Sequence, residues 1–246
     1  MPTDRRELRN LAAVKRTRLS DRAADELKRL LCRGDYPSGS RLPSEKELAA
    51  ALGVTRLTVR EALAQLEASG LTEARHGSGT YVVDLNHKAS FRALEEMLSV
   101  GRALDSREVL GLLQFREVVV LGFLDAIAAG ITPEQLSNLR TRVAAERQAG
   151  GDVARLAALD LEINEILAEA SGNHFYRMLL ASLHEAHLKL AELVFRAVGD
   201  VDVVIRTHAA VVEALAGRDA ASLRHAMEVY LRGATSTVSE WLARPQ

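Results

Sequence analysis

Thr55, Arg56, Thr58 and Arg60 bring two hydroxyls and two guanidinium groups into six residues at the start of a helical pattern. A helix N-terminus offers free N–H groups and partial positive charge, and arginine matches phosphate oxygens and the edge of guanine alike. The chemistry implied is recognition of a polyanion with readable bases. On the helical wheel Val59, Ala62, Leu63 and Leu66 fall within about 100° of one another and read as core, while Leu57, Thr58, Arg60, Glu61, Ala64 and Gln65 face away. A second group, His184, Glu185 and His187 in "LHEAHLK", nearly spells a zinc-protease motif, but that motif spaces its histidines four apart. His184 or His187 could line a cavity; a satisfied or solvent-facing histidine is the plainer expectation. With no G-x-S-x-G elbow, P-loop or dinucleotide fingerprint, the sequence shows no catalytic machinery and reads as a non-enzyme.

The elements that must position these groups follow from caps and periodicity. Ser20 reads as an N-cap of a first amphipathic helix over 20–33, with Ala23, Leu27, Leu30 and Leu31 on one face and Cys32, a small packed residue, at its end. "YPSGSRLPSE" is turn chemistry, and Ser44 with Glu47 forms a capping box that opens a second helix ended by Gly53. The third helix opens at Thr55 and stops at Gly70, after which "LTEARHGSGTYVV" reads as two short strands around a glycine-rich tip. Three helices and a hairpin in this order describe a winged helix-turn-helix. After a lapse over 85–90, helical periodicity resumes with breaks near Gly101, Gly130 to Pro133, Gly150 to Asp152, Gly172, Gly199 and Gly217, which predicts six or seven helices. Thr132 before Pro133, and Asn173 after Gly172, supply caps.

The fold class is therefore mainly α, in four parts: a basic arm over 1–18, a winged helix-turn-helix over 19–84, a linker over 85–90 and an all-helical bundle over 91–241. Bulk properties agree. The 246 residues are 48% apolar and only 4% aromatic, enough for a sizeable helical core. Net charge is −1, but residues 1–84 carry 15 Lys+Arg against 12 Asp+Glu and the remainder 17 against 21, a slightly basic head on an acidic body. One cysteine, no apolar leader and no run near the roughly 20 apolar residues of a membrane span make the cytoplasm the expected location, without membrane partners.

"LPSEKELAAALGVTRLTVREALAQLEASGL" followed by "RHGSGTYV" resembles the DNA-binding domain of the GntR family of bacterial transcription regulators, over residues 20–83. The resemblance implies DNA contacts from Lys46 to phosphate, from Thr55, Arg56, Thr58 and Arg60 in the recognition helix, and from His76 and Gly77 at the wing tip. Leu57 stands where the family commonly carries a polar residue and would touch a thymine methyl. One recognition helix covers a short site, so a homodimer on a palindromic operator in double-stranded DNA is expected.

"LLQFREVV", "LDLEINEILAEASGNHFY" and "THAAVVEALAGRDAASLRHAMEVYLRGA" resemble the all-helical effector-binding domain of the FadR subfamily, over about 91–241. What this implies is a repressor whose DNA affinity follows a small organic acid or an acyl-CoA-like effector. Many members hold a divalent metal with an aspartate, a histidine four residues on and two later histidines. The matching positions here are Asp160, Asn164, His208 and Tyr230, so two of the four depart; Asp160 and His208 remain as metal candidates, and no cofactor is required. Without a metal, Asp160 and His208 are expected in a hydrogen-bonded polar cluster on the cavity floor. Arg116 could pair with an effector carboxylate or with Asp160. A metal-dependent carboxylate sensor stays open as an alternative. An enzyme fused to a DNA-binding head, as in the family's aminotransferase-like branch, would need a far longer chain with a Schiff-base lysine.

Overall fold

The structure, a computed structural model, describes residues 19–84 and 90–244. The expected arm over 1–18 and most of the expected linker lie outside the described residues. The chain divides into two compact units, one running to Val100 and one from Gly101.

The first unit contains α1 (Leu19–Cys32), α2 (Glu45–Leu52), α3 (Arg56–Ala68), β1 (Thr72–Arg75), β2 (Gly79–Val82) and α4 (Phe91–Ser99). Ser44 caps α2 in a full capping box with Glu47, and Gly53 ends it in the left-handed region at φ 65°, where an L side chain would be strained. Thr55 caps α3, its hydroxyl accepting from the Thr58 N–H at 3.1 Å. The predicted inward residues are the observed ones: Val59, Ala62, Leu63 and Leu66 are all buried and pack with Ala24 and Leu27 of α1. β1 and β2 pair antiparallel from Thr72↔Val82 to Arg75↔Gly79. A bridge from Arg41 to Tyr81 adds the chain before α2 to this ribbon.

Two details differ from expectation. Ser20 is no cap; it lies inside α1 and is buried. Residues 91–99, assigned from sequence to the second domain, form a helix whose Ala93 and Met97 join the first unit's core and whose Glu96 accepts from Lys28 of α1 at 2.5 Å. The amphipathic pattern announced a helix there, but periodicity carries no information about the partner of its apolar face.

The second unit has seven helices among the described residues: α5 (Ser106–Gly130), α6 (Pro133–Gln148), α7 (Val153–Ala170), α8 (His174–Ala181), α9 (His184–Val198), α10 (Val201–Ala216) and α11 (Ala220–Leu242). Thr132 and Asn173 cap α6 and α8 as their sequence context suggested. The break at Ser182 and Leu183 had no glycine, proline or side-chain cap to announce it. α7 lies among α5, α6, α8 and α9, while α11 packs on α5, α9 and α10. Leu124, Ile127, Leu139, Leu156 and Leu215 form the centre of this core. Among the described residues no helix is long and apolar enough to cross a membrane.

Candidate functional site

Two surfaces gather the residues singled out above, one in each unit. On the first, the capping geometry of α2 and α3 presents Lys46, Thr55, Arg56 and Arg60 as exposed residues, with Thr58 half-buried behind them. Thr55 Oγ1 and Thr58 Oγ1 lie 2.9 Å apart, fixing both hydroxyls over the helix N-terminus. The wing tip is a tight turn in which Gly77 takes φ 69°, leaving His76 exposed. Behind the tip, Arg75 stacks over the Tyr81 ring at 4.0 Å, and Gly79 takes φ 117°, a backbone conformation that favours glycine.

One neighbour in this group had no sequence signal. Glu45, at the first position of α2, receives Arg60 through two hydrogen bonds, Nε to Oε1 at 3.0 Å and Nη2 to Oε2 at 2.8 Å, with Arg56 3.7 Å away. Hydrogen bonds from Arg60 hold the Glu45 carboxyl below its usual range, and those same bonds raise Arg60. The pair is not sunk into the fold, because the Arg60 side chain is 65% exposed. An exposed ion pair contributes little to stability and exchanges readily for another anion. Arg60 is therefore oriented and still available.

On the second surface, Asp160 is fully buried at the centre of a polar cluster inside the helical unit. Its Oδ1 accepts from the Tyr230 hydroxyl at 2.5 Å and lies 3.5 Å from Arg116 Nη2, which itself donates to the Tyr230 oxygen at 2.9 Å. Its Oδ2 meets His187 Nε2 at 2.7 Å and Asn164 Nδ2 at 3.4 Å. His208 stands with Nε2 3.4 Å from Asp160, outside hydrogen-bond geometry, and Nδ1 3.0 Å from both carboxyl oxygens of Glu146. Burial alone would raise the Asp160 pKa, but Arg116, His187 and His208 outweigh it and hold the carboxyl well below its usual range. For His208 burial opposes the charge, yet the carboxylates of Asp160 and Glu146 beside it lift it to about 9. Burial, with Asp160 beside it, pushes the Tyr230 hydroxyl up, so it remains a donor.

The four positions that correspond to a metal site do not fit a divalent cation. Both Asp160 oxygens are already engaged by Tyr230, Arg116 and His187. A histidine lifted to about 9 is protonated on both nitrogens at neutral pH and has no lone pair to offer. Asn164 turns its amide nitrogen towards Asp160, and among the described residues no group of three or more His, Cys, Asp or Glu could hold a metal ion. The cationic charge beside Asp160 is supplied instead by Arg116.

Arg116, Asn164 and His187 also border a pocket of about 60 Å3 between α5, α7, α8 and α9, whose other walls are mainly apolar and include Leu112, Phe115 and Leu190. Tyr176 closes one side, stacked on Phe123 with ring centroids 4.8 Å apart. Arg116, one of the residues lining this pocket, has a buried Nε with no hydrogen-bond partner, although the same guanidinium is bound through Nη2. His208 and Tyr230 line a separate space of about 10 Å3 beyond Asn164. The five candidate effector residues thus form one network, of which Arg116 and Asn164 reach the larger pocket. Sequence reasoning missed Glu146, which lies on α6 and joins the cluster only through packing. His187, for which a cavity position was one of two expectations, is both hydrogen-bonded and on the pocket wall.

Comparison with known proteins follows the same division. The model of bacterial regulatory proteins of the gntR family matches residues 19–82, and that of the FCD domain matches residues 111–233. An HTH-type transcriptional regulator of Mycobacterium tuberculosis, Rv0494, is 33% identical over 222 residues, covering 88% of each chain. The HTH-type transcriptional repressor NanR of Cronobacter sakazakii is 30% identical over 241 residues, 94% of this chain and 88% of that one. Among solved structures, that of Lar, which controls expression of the Listeria monocytogenes agr system, aligns over 92% of this chain and 99% of its own with a TM-score of 0.68. At 16% identity that likeness concerns the fold.

Proposed function

The chain belongs to the gntR family of bacterial regulatory proteins and is a transcription regulator with an FCD domain, and from that premise we propose that it is a dimeric, metal-independent sensor of a small organic anion. Two copies bind a palindromic operator in the cytoplasm. Arg56 and Arg60 read guanine edges, Thr55 and Thr58 hold the helix tip to the backbone, Lys46 neutralises a phosphate, and His76 with Gly77 enters the neighbouring minor groove. In the helical unit, an effector entering the pocket shifts the balance between two placements of the DNA-binding heads in proportion to its differential affinity for them.

The observation that carries the sensor reading is the orphaned Arg116 Nε on an otherwise largely apolar pocket. A buried donor without a partner is costly, and a carboxylate oxygen satisfies it with a charge-assisted bond. The small volume favours the smaller of the two effector classes, a short carboxylate rather than a fatty acyl chain.

Calorimetric titration of the full chain in EDTA with acetate, propionate, butyrate, lactate, pyruvate and palmitoyl-CoA tests this. Saturable heat from a short carboxylate, lost in Arg116→Lys with far-UV circular dichroism unchanged, is the expected result. Binding that appears only after zinc is added, or only with palmitoyl-CoA, overturns it.

A further inference from the structure

The chain just before α2 does more than lead into its cap. It runs antiparallel along the edge of β2 that β1 leaves open: the Leu42 N–H donates to the Thr80 carbonyl at 2.9 Å, the Val82 N–H to that of Ser40 at 2.9 Å and the Gly39 N–H to that of Val82 at 3.0 Å. Arg41 stands opposite Tyr81, and Tyr81 opposite Glu73, so these side chains share one face of the ribbon, with Arg75 two residues further along β1. The other face carries Leu42, Thr72 and Val82, all buried. Arg41 therefore belongs to the outward face of the wing, where it is exposed. A Cβ built on Gly79 would fall 2.8 Å from Arg41 Nε and 3.1 Å from Nη2, which places the guanidinium over β2 on the side towards the tip.

Its charge is free in a way that those of its neighbours are not. Arg56 and Arg60 face Glu45, and Arg75 donates through Nε to Glu73 at 2.8 Å while it stacks on Tyr81. Among the described residues Arg41 makes no hydrogen bond and no ion pair. It acts on Glu47 only through space: that carboxyl is held below its usual range first by hydrogen bonds from Ser44 and then by the charges of Arg41 and Lys46. Arg60 has to release Glu45 before it can take another anion, whereas Arg41 has nothing to release.

We propose that Arg41 is a further DNA contact, a clamp on the sugar–phosphate strand that separates the groove read by α3 from the groove entered by the wing tip. Its place in the fold carries this. Strand pairing makes Arg41 part of the wing, and five residues later exposed Lys46 stands in the first turn of α2, so Arg41 joins the two surfaces already assigned to DNA. Between a major groove and the next minor groove of a duplex lies one phosphate strand, and a guanidinium there meets phosphate oxygens and no base edge. The face beneath it is braced, because the Tyr81 ring lies under Arg75 and its hydroxyl is 2.7 Å from that of Ser78. Arg41 thus adds affinity and register without sequence preference. The inference rests on the DNA-binding reading above and adds to it a residue that the helix-turn-helix motif does not contain.

Fluorescence anisotropy of the full chain on a duplex that the wild type selects from a random library tests it, as a function of salt. Arg41→Ala should lower the salt slope by about 0.9 for each half-site and, at about 0.1 M salt, weaken binding about eightfold for each, with base preferences unchanged. Arg41→Gln, which keeps the stem lying over Gly79, should do the same, while Arg41→Lys should keep the wild-type slope, since an ammonium also serves phosphate as a point charge. Methylphosphonate linkages placed one at a time locate the contact. A neutral linkage between the bases read by α3 and the minor groove at the wing should weaken the wild type and cost Arg41→Ala nothing further. An unchanged slope in Arg41→Ala and Arg41→Gln, an altered base preference, or a full penalty from every linkage in Arg41→Ala overturns the clamp; if Lys46→Ala still lowers the slope, the DNA-binding reading stands. A wild type that selects no duplex overturns both.

Discussion

Arg60 meets Glu45 on the surface of the N-terminal unit, and Arg116 meets Asp160 in the interior of the C-terminal one. The partners are chemically alike and the consequences opposite. In the first pair water screens both charges, the arginine keeps most of its surface, and a phosphate or a base edge can take over from the carboxylate. In the second, Asp160 has no exposure at all, and its charge is tolerated only because Arg116, Tyr230, His187 and Asn164 are all directed at it. A DNA-reading group has to be exchangeable, whereas a sensor floor has to be fixed, and burial decides which of these an arginine–carboxylate pair becomes.

Removing the arginine from each pair is the most direct way to break this comparison. Arg116→Ala strands a buried carboxylate and should cost about 3–5 kcal/mol, a fall of about 10 °C in Tm by calorimetry, while Glu45→Ala should leave Tm within about 1 °C. Equal shifts from the two substitutions would mean that burial is not the deciding variable.

The pH dependence of stability sharpens the same contrast. The folded His208 pKa of about 9 lies above the ordinary 6.5, so its contribution is complete below pH 6.5 and is lost as pH rises through 9. Asp160 has the opposite sign, held below its ordinary 3.8, so its contribution is complete above that value and lost only on acidification. Urea melts should therefore show stability falling by on the order of 3 kcal/mol between pH 6.5 and 9.5 in the wild type and a flattened alkaline limb in His208→Gln.

The smallest effects belong to the exposed surface and are read in binding rather than in folding. On a duplex selected from a random library, Arg60→Ala should weaken binding roughly 10–100-fold and relax the preference at one base pair, whereas Lys46→Ala should weaken every sequence alike and reduce the salt slope by about 1. If Arg60→Ala behaved as Lys46→Ala does, Arg60 would be a phosphate contact and not a reader.

How much of each region was legible in the chain follows the same line. The reading head could be drawn from sequence because its determinants are local: a capping box from Ser44 to Glu47, a glycine at the αL stop, a Thr55 cap and apolar residues at helical spacing all act within one or two turns. Its one surprise, Glu45 under Arg60, joins positions fifteen residues apart on two different helices. The sensor floor was legible only as candidates. Resemblance supplied Arg116, Asp160, Asn164, His208 and Tyr230, but Glu146 reaches His208 across 62 residues and His187 reaches Asp160 across 27. No periodicity links such positions, and their helices point the same side chains inward whether or not the partners exist.

Sequence by itself therefore determined most of the helices, the caps at Ser44, Thr55, Thr132 and Asn173, the winged reading head and its apolar faces, since each depends on neighbours three or four residues away. Tertiary packing alone decided that α4 joins the first unit, that the chain breaks between α8 and α9, and that Asp160 meets an arginine, a tyrosine and two histidines. The physical reason is that a buried charge takes its meaning from what surrounds it in three dimensions, and those surroundings come from five helices separated in the chain and joined only by folding.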